Sequence, residues 1–503
     1  MYKQFSHSYR VTLQFWIFLS QSISCLIGQD TWTHTFGGID HDMAQSVIET
    51  SDGSYLTACK TLSYGSGDYD IWLVKTDLYG DTLWTKTYGG TDGEYFPHII
   101  ETSDQSFLIA GFSFSYGSGS HNDSDIWLIK TDVNGDTLWT KTYGGYSWEY
   151  ADHISVIETS DESYLIAGLT GSFGSGLEDA WLIKTNMNGD TLWTKTYGGS
   201  LYEGANSIIE TSDQSYLFVG QTGSIDSANF NAWLVKTDHN GDTLWTKTFG
   251  ELDWSRAYSV IETSDHSYLI AGKFYSYDSG SADSWLIKTD YDGNTLWTRT
   301  YGGSSYDIFE TVIETSDQTF LITGSTESFG SGERDIWLIK TDLDGEPLWS
   351  QFYGGAQSDE GKSVIETSDQ NYLIVGHTKS YGSGASDAWI IKTDSFGNTT
   401  LPVSIQNEMV QLQSNSLLIA PNPMNNKCSF TYTLHERSNI SIDIYNINGT
   451  RVWSRDLDEQ QGGTYRNVWN AQDQNGANLG SGIYVLQIST SSWKESRKLI
   501  LLK

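Results

Sequence analysis

The sequence predicts an all-β protein: a seven-bladed β-propeller closed by its N-terminal strand, followed by a small C-terminal β-sandwich. Three observations support this fold class. Phrases that contain tryptophan recur seven times, each repeat holds four strand-like runs, and the first and last repeats are complementary. The chain of 503 residues is long enough for one large repeat domain and a smaller domain.

The repeat has a period of about 50 residues, which is typical of propeller blades. The phrase TLW and its variants end at Trp32, Trp84, Trp139, Trp193, Trp245, Trp297 and Trp349. The phrase DIWLIKTD and its variants contain Trp72, Trp127, Trp181, Trp233, Trp285, Trp337 and Trp389. The phrase SVIETSD and its variants begin at Ser46, His98, Ser155, Ser207, Ser259, Thr311 and Ser363. We expect the repeated tryptophans to pack between blades.

The fifth repeat shows the strand pattern plainly, in short runs rich in Val, Ile, Thr, Tyr and Trp. The runs are Ser259–Thr263, Tyr268–Gly272, Ser284–Thr289 and Thr295–Tyr301. The second and third runs are apolar on both faces, so both faces must be covered by neighbouring sheets. Four strands in each repeat favour propeller blades over the coils of a solenoid.

The two ends of the repeat array are complementary. The last repeat lacks a fourth strand after Thr393, whereas an additional strand-like run, Asp30–Phe36, precedes the first SVIET phrase. The N-terminal run can therefore complete the seventh blade and remove the exposed edges of an open array. This arrangement predicts that Trp32 lies against the sheet that contains Trp389.

The loops before the first strand of each blade and between its second and third strands are expected to share one face. The loops before the first strands differ most among repeats, so we predict that this face binds a ligand. Exposed aromatic rings beside carboxylates can stack on sugars and accept hydrogen bonds from hydroxyls; the alternative is that these side chains pack between blades. The candidates are Tyr95, Trp148, Glu149, Tyr150, Tyr202, Trp254 and Arg256.

The turns between the third and fourth strands contain Asn-Gly or Asp-Gly, which supply the positive φ that tight hairpins need. Their alternating oxygens also allow a weaker alternative, calcium binding, although no bidentate Glu follows at the required distance. No other cofactor is predicted. The candidate calcium ligands are Asp132, Asn134, Asp136, Asp290, Asp292 and Asn294.

The net charge of −34 argues against nucleic acid and anionic membranes as partners. Most acidic residues recur at the same place in each repeat, whereas a catalytic centre needs a unique, asymmetric set of groups. The sequence contains no HExxH, GxSxG or phosphate-loop motif. Paired glycosidase carboxylates leave no sequence pattern, so nonequivalent carboxylates and an Arg converging on the axis would favour an enzyme.

Residues 1–28 are predicted to be a signal peptide, because Lys3 and Arg10 precede an apolar run around Phe15–Leu19. A lipoprotein junction at Cys25 is the alternative. The propeller is expected over residues 29–400, with a linker over 401–416. No transmembrane segment is predicted in the mature chain. Residues 417–503 alternate strand-like runs with Asn-Gly turns, a pattern typical of a small β-sandwich.

Residues 417–503 also contain a set of short motifs: Pro421-Asn422-Pro423, the phrase IYNINGTRV, Trp469, Asn475-Gly476, Gly480–Tyr484 and the basic-apolar end Lys498–Lys503. In these motifs the segment resembles the type A C-terminal sorting domain of the type IX (Por) secretion system. Asn470-Ala471 departs from the Trp-Asp/Asn-Gly sequence usual in that family. The resemblance implies export, translocation by the type IX machinery, and removal of the domain with release or surface attachment.

The repeat array resembles uncharacterised propeller-like arrays that precede such sorting domains, and this resemblance carries no activity. We therefore predict a secreted or cell-surface binding or adhesion protein, with extracellular glycans or proteins as ligands. A passive structural or matrix component and a carbohydrate-active enzyme are the two alternatives.

Overall fold

The structure is a computed structural model. It describes residues 31–117, 123–149, 153–223, 230–250, 254–276, 281–399, 418–420, 427–434, 437–446, 450–461, 463–474, 476–490 and 494–501. The chain divides into two compact units, Met1–Ile405 and Gln406–Lys503. The predicted signal peptide and the predicted linker over 401–416 lie outside the described residues. Within the described part of the chain, no helix has the length and apolar character needed to cross a membrane.

The first unit consists of seven antiparallel sheets of four strands each, which we call blades 1–7. Blade 1 contains β2 (Asp42–Glu49), β3 (Tyr55–Thr61), β4 (Asp70–Thr76) and β5 (Thr82–Tyr88). Blade 2 contains β6 (Glu94–Glu101), β7 (Phe107–Ser113), β8 (Asp125–Thr131) and β9 (Thr137–Tyr143). Blade 3 contains β10 (Ser155–Thr159), β11 (Ser163–Thr170), β12 (Asp179–Thr185) and β13 (Thr191–Tyr197).

The later blades repeat this order. Blade 4 contains β14 (Glu203–Glu210), β15 (Tyr216–Gly223), β16 (Phe230–Thr237) and β17 (Thr243–Phe249). Blade 5 contains β18 (Trp254–Glu262), β19 (Tyr268–Ser276), β20 (Ser281–Thr289) and β21 (Thr295–Tyr301). Blade 6 contains β22 (Asp307–Glu314), β23 (Phe320–Thr326), β24 (Asp335–Thr341) and β25 (Pro347–Tyr353). Blade 7 contains β26 (Asp359–Glu366), β27 (Tyr372–Thr378), β28 (Asp387–Thr393) and, from the N-terminus, β1 (Trp32–Phe36).

The middle strands of each blade are buried on both faces, as the sequence predicts. Every residue of β24 and of β28 is buried, and their tryptophans Trp337 and Trp389 are almost inaccessible to solvent. The outer strands are less buried, because alternate side chains of each outer strand face solvent. Trp32 is buried. The other six tryptophans of the TLW phrase are half-buried, yet each packs against the apolar core between two blades, as the sequence predicts: Trp84, Trp139, Trp193, Trp245, Trp297 and Trp349.

The N-terminal strand closes the ring, and the sequence-based prediction of closure is confirmed. Strand β1 pairs antiparallel with β28, with Trp32 opposite Lys392 and Thr35 opposite Trp389. The Trp32 indole also donates a hydrogen bond to the Leu78 carbonyl of blade 1 at 2.9 Å. Trp32 therefore belongs to blade 7 by its backbone and to the junction with blade 1 by its side chain.

A second contact recurs at every junction between neighbouring blades. The backbone N–H and the hydroxyl of a serine in one blade donate to the two carboxylate oxygens of a glutamate in the next blade. At the closing junction Ser368 binds Glu49 at 2.7 and 2.6 Å. The other six pairs are Ser51–Glu101, Ser103–Glu158, Ser160–Glu210, Ser212–Glu262, Ser264–Glu314 and Ser316–Glu366.

In six blades the first strand starts earlier than the repeated phrase suggests and contains a β-bulge, whereas β10 of blade 3 begins at Ser155, the first residue of the phrase. In blade 5 the strand begins at Trp254 and the pairing with β19 shifts between Ala257 and Ser259. The residue in between, Tyr258, is unpaired in the ladder. Corresponding shifts occur in blades 1, 2, 4, 6 and 7. A bulge changes the direction of its side chain, so one residue near this place in each of these blades is free of the repeat pattern.

The second unit is a β-sandwich. One sheet contains β29 (Leu418–Ala420), β30 (Cys428–Leu434) and β33 (Gly463–Trp469). The other contains β31 (Ser438–Asn446), β32 (Arg451–Gln460), β34 (Gly482–Ser489) and β35 (Lys494–Leu501). Trp469 is buried between them and meets Tyr484 edge-on. Ala471 adopts a φ of 54°, a conformation that favours glycine. It lies at the position where the sequence departs from the family pattern.

The closing contact gives a testable prediction. Replacing Trp32 by Ala removes a buried indole and its hydrogen bond, so we expect the free energy of unfolding to fall by about 3 kcal/mol. The measurement is chemical denaturation followed by circular dichroism.

The matched control is Trp148→Ala, because Trp148 is exposed on a loop and should change stability by less than about 0.5 kcal/mol. Equal stability of the Trp32→Ala variant and the parent protein would contradict the closing role of β1.

Candidate functional site

The loops that precede each first strand and those that join the second and third strands form one face of the propeller, which we call the variable face. The same backbone hydrogen bond orders this face in six blades. The carbonyls of His41, Gly93, Trp148, Tyr202, Tyr306 and Ser358 each accept the N–H of a residue at the start of the second loop. These six residues are therefore structurally equivalent. Trp254, paired with Tyr275, occupies the same position in blade 5.

Four consecutive blades carry an aromatic ring at this equivalent position. The residues are Trp148, Tyr202, Trp254 and Tyr306, and we call them the aromatic arc. The first three are exposed by 53%, 43% and 42%. The hydroxyl of Tyr306 accepts a hydrogen bond from Lys273 at 2.7 Å, and this ring is half-buried. Blades 7, 1 and 2 have Ser358, His41 and Gly93 instead, so the arc covers only part of the ring.

Three predicted residues come together in the middle of the arc. Trp254 meets the Phe230 ring edge-on, with centroids 5.5 Å apart, and Tyr202 lies 6.4 Å from the same ring. The Arg256 guanidinium lies over the same Phe230 ring, with its central carbon 5.3 Å from the ring centroid. Phe230 begins the third strand of blade 4, and it was not among the residues that the sequence singles out. It joins the aromatic residues of two neighbouring blades into one surface.

The structure separates the other predicted residues. Glu149 is fully buried and accepts hydrogen bonds from the Thr170 hydroxyl at 2.8 Å and from the Gly145 N–H at 3.3 Å. It therefore does not form part of the exposed surface beside Trp148. Tyr150 lies outside the described residues. Tyr95 is half-buried and packs against Tyr69 and Phe114, away from the arc.

The propeller axis holds a cavity of about 160 Å³ that is lined by the first strands of all blades. A ring of serines and a threonine from the SVIET phrase forms part of its wall, with His98 in place of serine in blade 2. Other wall residues directly precede this phrase in each blade, and their side chains differ in every blade. They are Gln45, Pro97, Ile154, Asn206, Tyr258, Glu310 and Lys362.

An ion-pair network crosses this cavity. The Glu310 carboxylate of blade 6 contacts the His153 ring of blade 3 at 3.0 Å and the Lys362 ammonium of blade 7 at 2.7 Å. Lys362 also contacts Glu360, which pairs with Arg334 at 2.7 Å. Because blades 3 and 6 lie on opposite sides of the ring, the His153–Glu310 contact braces the axis.

Both carboxylates of the network are held in their ionised form. Burial alone would raise the pKa of Glu310, but the Lys362 ammonium and the His153 ring outweigh it and hold the pKa well below its usual range. Burial also opposes ionisation of Glu360, yet Lys362, His377 and Arg334 lower its pKa to about 2. Burial lowers the pKa of His98 to about 4, so this ring is neutral at physiological pH.

The six residues of the calcium alternative lie in the hairpin turns between third and fourth strands. The Asp132 carboxylate accepts the N–H groups of Asn134 and Asp136, both at 2.9 Å, and Asp290 does the same for Asp292 and Asn294. These oxygens thus stabilise the turn itself. Among the described residues, no group of three or more His, Cys, Asp or Glu side chains is arranged to bind a metal ion.

Comparison with known proteins identifies the second unit. Residues 418–502 match the secretion system C-terminal sorting domain family. This match indicates export of the protein through the type IX secretion machinery to the cell surface or the medium. It agrees with the sandwich fold of these residues and with the motifs around Trp469 and Tyr484.

The chain is also similar to a regulatory protein at low sequence identity. Over 347 residues the chain is 24% identical to the regulatory protein FlaEY of Caulobacter vibrioides, a match that covers 60% of this chain and 34% of that protein. The chain thus spans about a third of the relative's length.

Solved structures with similar architecture include PorZ, a surface component of the type IX secretion system of Porphyromonas gingivalis. It is 9% identical, with a TM-score of 0.38, and the match covers 91% of this chain and 59% of PorZ. The α-L-arabinofuranosidase Arb93A of Fusarium graminearum is 12% identical, with a TM-score of 0.40, over 72% of this chain and 98% of the enzyme. None of these similarities assigns an activity to the propeller.

The axial network gives a second prediction. Replacing Lys362 by Met leaves the buried Glu310 carboxylate without its ammonium partner, so we expect the free energy of unfolding to fall by about 3 kcal/mol. Adding Glu310→Gln to this variant removes the unpaired charge and should restore part of the loss. Chemical denaturation at neutral pH measures both effects.

The control is Lys141→Met in the solvent-exposed Lys141–Asp190 pair, for which we expect a loss below about 1 kcal/mol. If the axial and the surface lysine variants lose the same stability, the network does not brace the axis.

Proposed function

We propose that the propeller is an extracellular carbohydrate-binding module whose ligand lies across the aromatic arc. The observation that carries this proposal is the exposure of aromatic rings at the same position in consecutive blades. Trp148, Tyr202 and Trp254 do not cover the hydrophobic core, yet each blade repeats the backbone geometry that presents them. A soluble protein gains no stability from such rings, and exposed aromatic surface of this kind is typical of ligand sites.

Sugar rings suit this surface because one face of a pyranose presents C–H groups and its edge presents hydroxyls. The C–H groups pack on aromatic rings, and the hydroxyls find hydrogen-bonding groups beside them. In the arc, the Arg256 guanidinium lies over the Phe230 ring, which Trp254 also contacts, so a group with polar N–H atoms adjoins the aromatic surface. The net charge of −34 disfavours highly anionic polysaccharides, so we propose a neutral or weakly charged glycan.

The arrangement of the arc also favours an extended ligand. Equivalent rings on blades 3, 4, 5 and 6 can each contact a different residue of a curved chain, whereas a monosaccharide would contact one or two of them. Affinity is therefore expected to rise with the length of the oligosaccharide until the chain spans the arc, because each added contact contributes to the same complex.

The axial carboxylates are poorly suited to glycoside hydrolysis. The carboxylates of the axial network are nonequivalent, and an Arg pairs with one of them, which is the arrangement that would favour an enzyme: Glu310 lines the cavity, and Glu360 pairs with Arg334. Hydrolysis with paired carboxyl groups requires one of them to be protonated. Lys362 pairs with both groups, and each has a lowered pKa. A purely structural matrix role, in turn, gives no reason for a continuous aromatic surface around Phe230.

The experiment is a glycan-array screen of the full-length protein, followed by titration calorimetry with the oligosaccharides that bind. We expect the Tyr202→Ala/Trp254→Ala variant to lose at least about fivefold in affinity, because two stacking contacts of about 0.5–1.5 kcal/mol each are removed. Longer oligomers of the bound glycan should bind more tightly than the monosaccharide.

The control is Tyr79→Ala, which removes an exposed tyrosine from a hairpin turn on the opposite face and should leave binding unchanged. Unfolding curves establish that all variants remain folded. A blank array, or equal affinity of the arc variant and the parent protein, would contradict the proposal.

A further inference from the structure

Six of the seven junctions between blades bury a pair of carboxyl groups near the variable face. One member lies at or near the start of the third strand of a blade, and the other lies at or shortly before the start of the first strand of the next blade. The sequence shows both acids as separate repeats, and only the fold brings them together. The pairs are Asp387 with Asp42, Asp70 with Glu94, Asp125 with Glu149, Asp179 with Glu203, Asp283 with Asp307, and Asp335 with Asp359.

In five of the six pairs a backbone hydrogen bond holds the two acidic residues next to each other. The N–H of Asp359 donates to the carbonyl of Arg334, the residue before Asp335, at 2.7 Å. The corresponding bond joins Asp42 to the Ser386 carbonyl, also at 2.7 Å. A glycine lies beside each pair, and a Cβ on it would overlap oxygens of both carboxyl groups, as at Gly354. The two groups therefore face each other across a space that only glycine leaves free.

Around the Asp335–Asp359 pair the described residues supply hydrogen-bond donors, and no ion pair joins either carboxylate to a described Lys, Arg or His side chain. Asp359 accepts hydrogen bonds from the Thr378 hydroxyl, from the Ser380 hydroxyl at 2.7 Å, and from the Gly355 N–H at 2.8 Å. One oxygen of Asp335 accepts the Ser331 N–H at 2.6 Å. Its other oxygen is buried and has no donor among the described residues.

The neighbouring charged groups are engaged elsewhere. The Arg334 guanidinium, although adjacent in sequence to Asp335, pairs with Glu327 and Glu360. The Tyr381 hydroxyl, which faces the pair from the next loop, donates to the Gly354 carbonyl at 2.9 Å. At other junctions the facing titratable groups are the Tyr64 and Tyr116 phenols and, near Asp42, the Cys59 thiol. None of these groups neutralises a carboxylate.

The seventh junction provides an internal comparison. Between blades 4 and 5 both acidic positions are neutral: Asn231 replaces the first acid and Ser255 replaces the second. The Ser255 hydroxyl donates to the Phe249 carbonyl at 2.9 Å and accepts the Ala232 N–H at 3.0 Å. Both acids are thus lost together, which indicates that the two positions act as a unit.

We propose that the facing carboxyl groups at these junctions share a proton, so that each pair is a proton-binding site that joins two blades. Two buried carboxylates at contact distance repel each other, whereas one proton between them converts the repulsion into an O–H···O hydrogen bond. The Asp335 oxygen that has no donor is then the one that carries the shared proton, and it donates this proton to the Asp359 carboxylate, which already accepts three hydrogen bonds. These pairs consequently stabilise the propeller more at mildly acidic pH than at alkaline pH.

The electrostatic environment agrees with this assignment. Burial, together with the Asp359 carboxylate, raises the pKa of Asp335 to about 7. Burial likewise raises the pKa of other members of the pairs, and the facing carboxylate adds to the rise for Glu94, Glu149, Asp283 and Asp387. Asp70 and Asp359 have a raised pKa as well.

The sign of the pH effect follows from these directions. A carboxyl group whose pKa is higher in the folded than in the unfolded chain contributes stability below its unfolded pKa. That contribution is lost as the pH rises through the folded pKa. For Asp335 the loss extends from about pH 4 to the folded pKa of about 7.

Two other sets of groups act in the opposite direction. Burial lowers the pKa of His98 and of His377 to about 4, so these rings favour the folded state as the pH rises. On the face opposite the variable face, bonds from buried lysines overcome burial and lower the pKa of aspartates such as Asp52 and Asp317. The aspartates titrate below pH 4, and the histidines affect the parent protein and a carboxyl variant equally.

The test compares the thermal midpoint of the full-length protein with that of Asp335→Asn at pH 5 and at pH 8. Asn imitates the neutral acid, as Asn231 does in blade 4. We expect similar midpoints at pH 5, and at pH 8 a midpoint several degrees higher for the variant, because the parent protein has then lost the shared proton. The control Asp344→Asn, in an exposed hairpin turn, should show no pH-dependent difference.

Infrared spectroscopy provides a second measurement that does not depend on stability. At pH 7 the parent protein should show the carbonyl band of protonated carboxyl groups, and the band should weaken in Asp335→Asn. Absence of this band in the parent protein would overturn the proposal. A midpoint that Asp335→Asn lowers equally at both pH values would do the same, since it would indicate a hydrogen-bonding role without a proton.

Discussion

The constraint on which this structure depends is that the middle strands of every blade are apolar on both faces. A sheet of this kind cannot face water, so each blade needs a neighbour on either side, and only a closed ring provides two neighbours for all seven. The serine–glutamate bridges that link each blade to the next, including Ser368 to Glu49, complete the same arrangement with polar groups. Closure is thus a condition for burying the core.

The same constraint decides which positions can carry side chains that differ from blade to blade. Positions that form the junctions must repeat, because a change at one place would disturb two blades. Two kinds of position escape this requirement. They are the bulge residues, and the residue that precedes the acidic position near the first strand of each blade. The axis therefore holds nonequivalent groups such as Tyr258, Glu310 and Lys362, and the variable face holds the aromatic arc. Function, in this molecule, is confined to the few places that the repeat leaves free.

The sequence was sufficient for the blades, their number and the closing strand, since periodicity and strand patterns are local properties. It did not predict that Glu149 is buried, because the partner that buries it comes from the start of the third strand in the preceding blade. Nor did it identify the axial residues, since a bulge changes a side chain's direction without a distinct sequence motif. The only available indication was the variable residue before each SVIET phrase. Phe230 joins the arc through contacts between loops that no spacing rule relates.

The pairing of β1 with β28 also affects how the molecule is made. The first propeller strand to leave the ribosome has its partner at the end of the array, and the Thr399 hydroxyl that contacts the Trp32 carbonyl lies 367 residues further along the chain. Blades 1–6 can form in order from neighbouring segments, but blade 7 cannot. Until synthesis of the array is finished, the ring stays open and its terminal sheets stay uncovered. A contact between such distant segments carries a large loop-closure cost, which makes it a natural last step of folding.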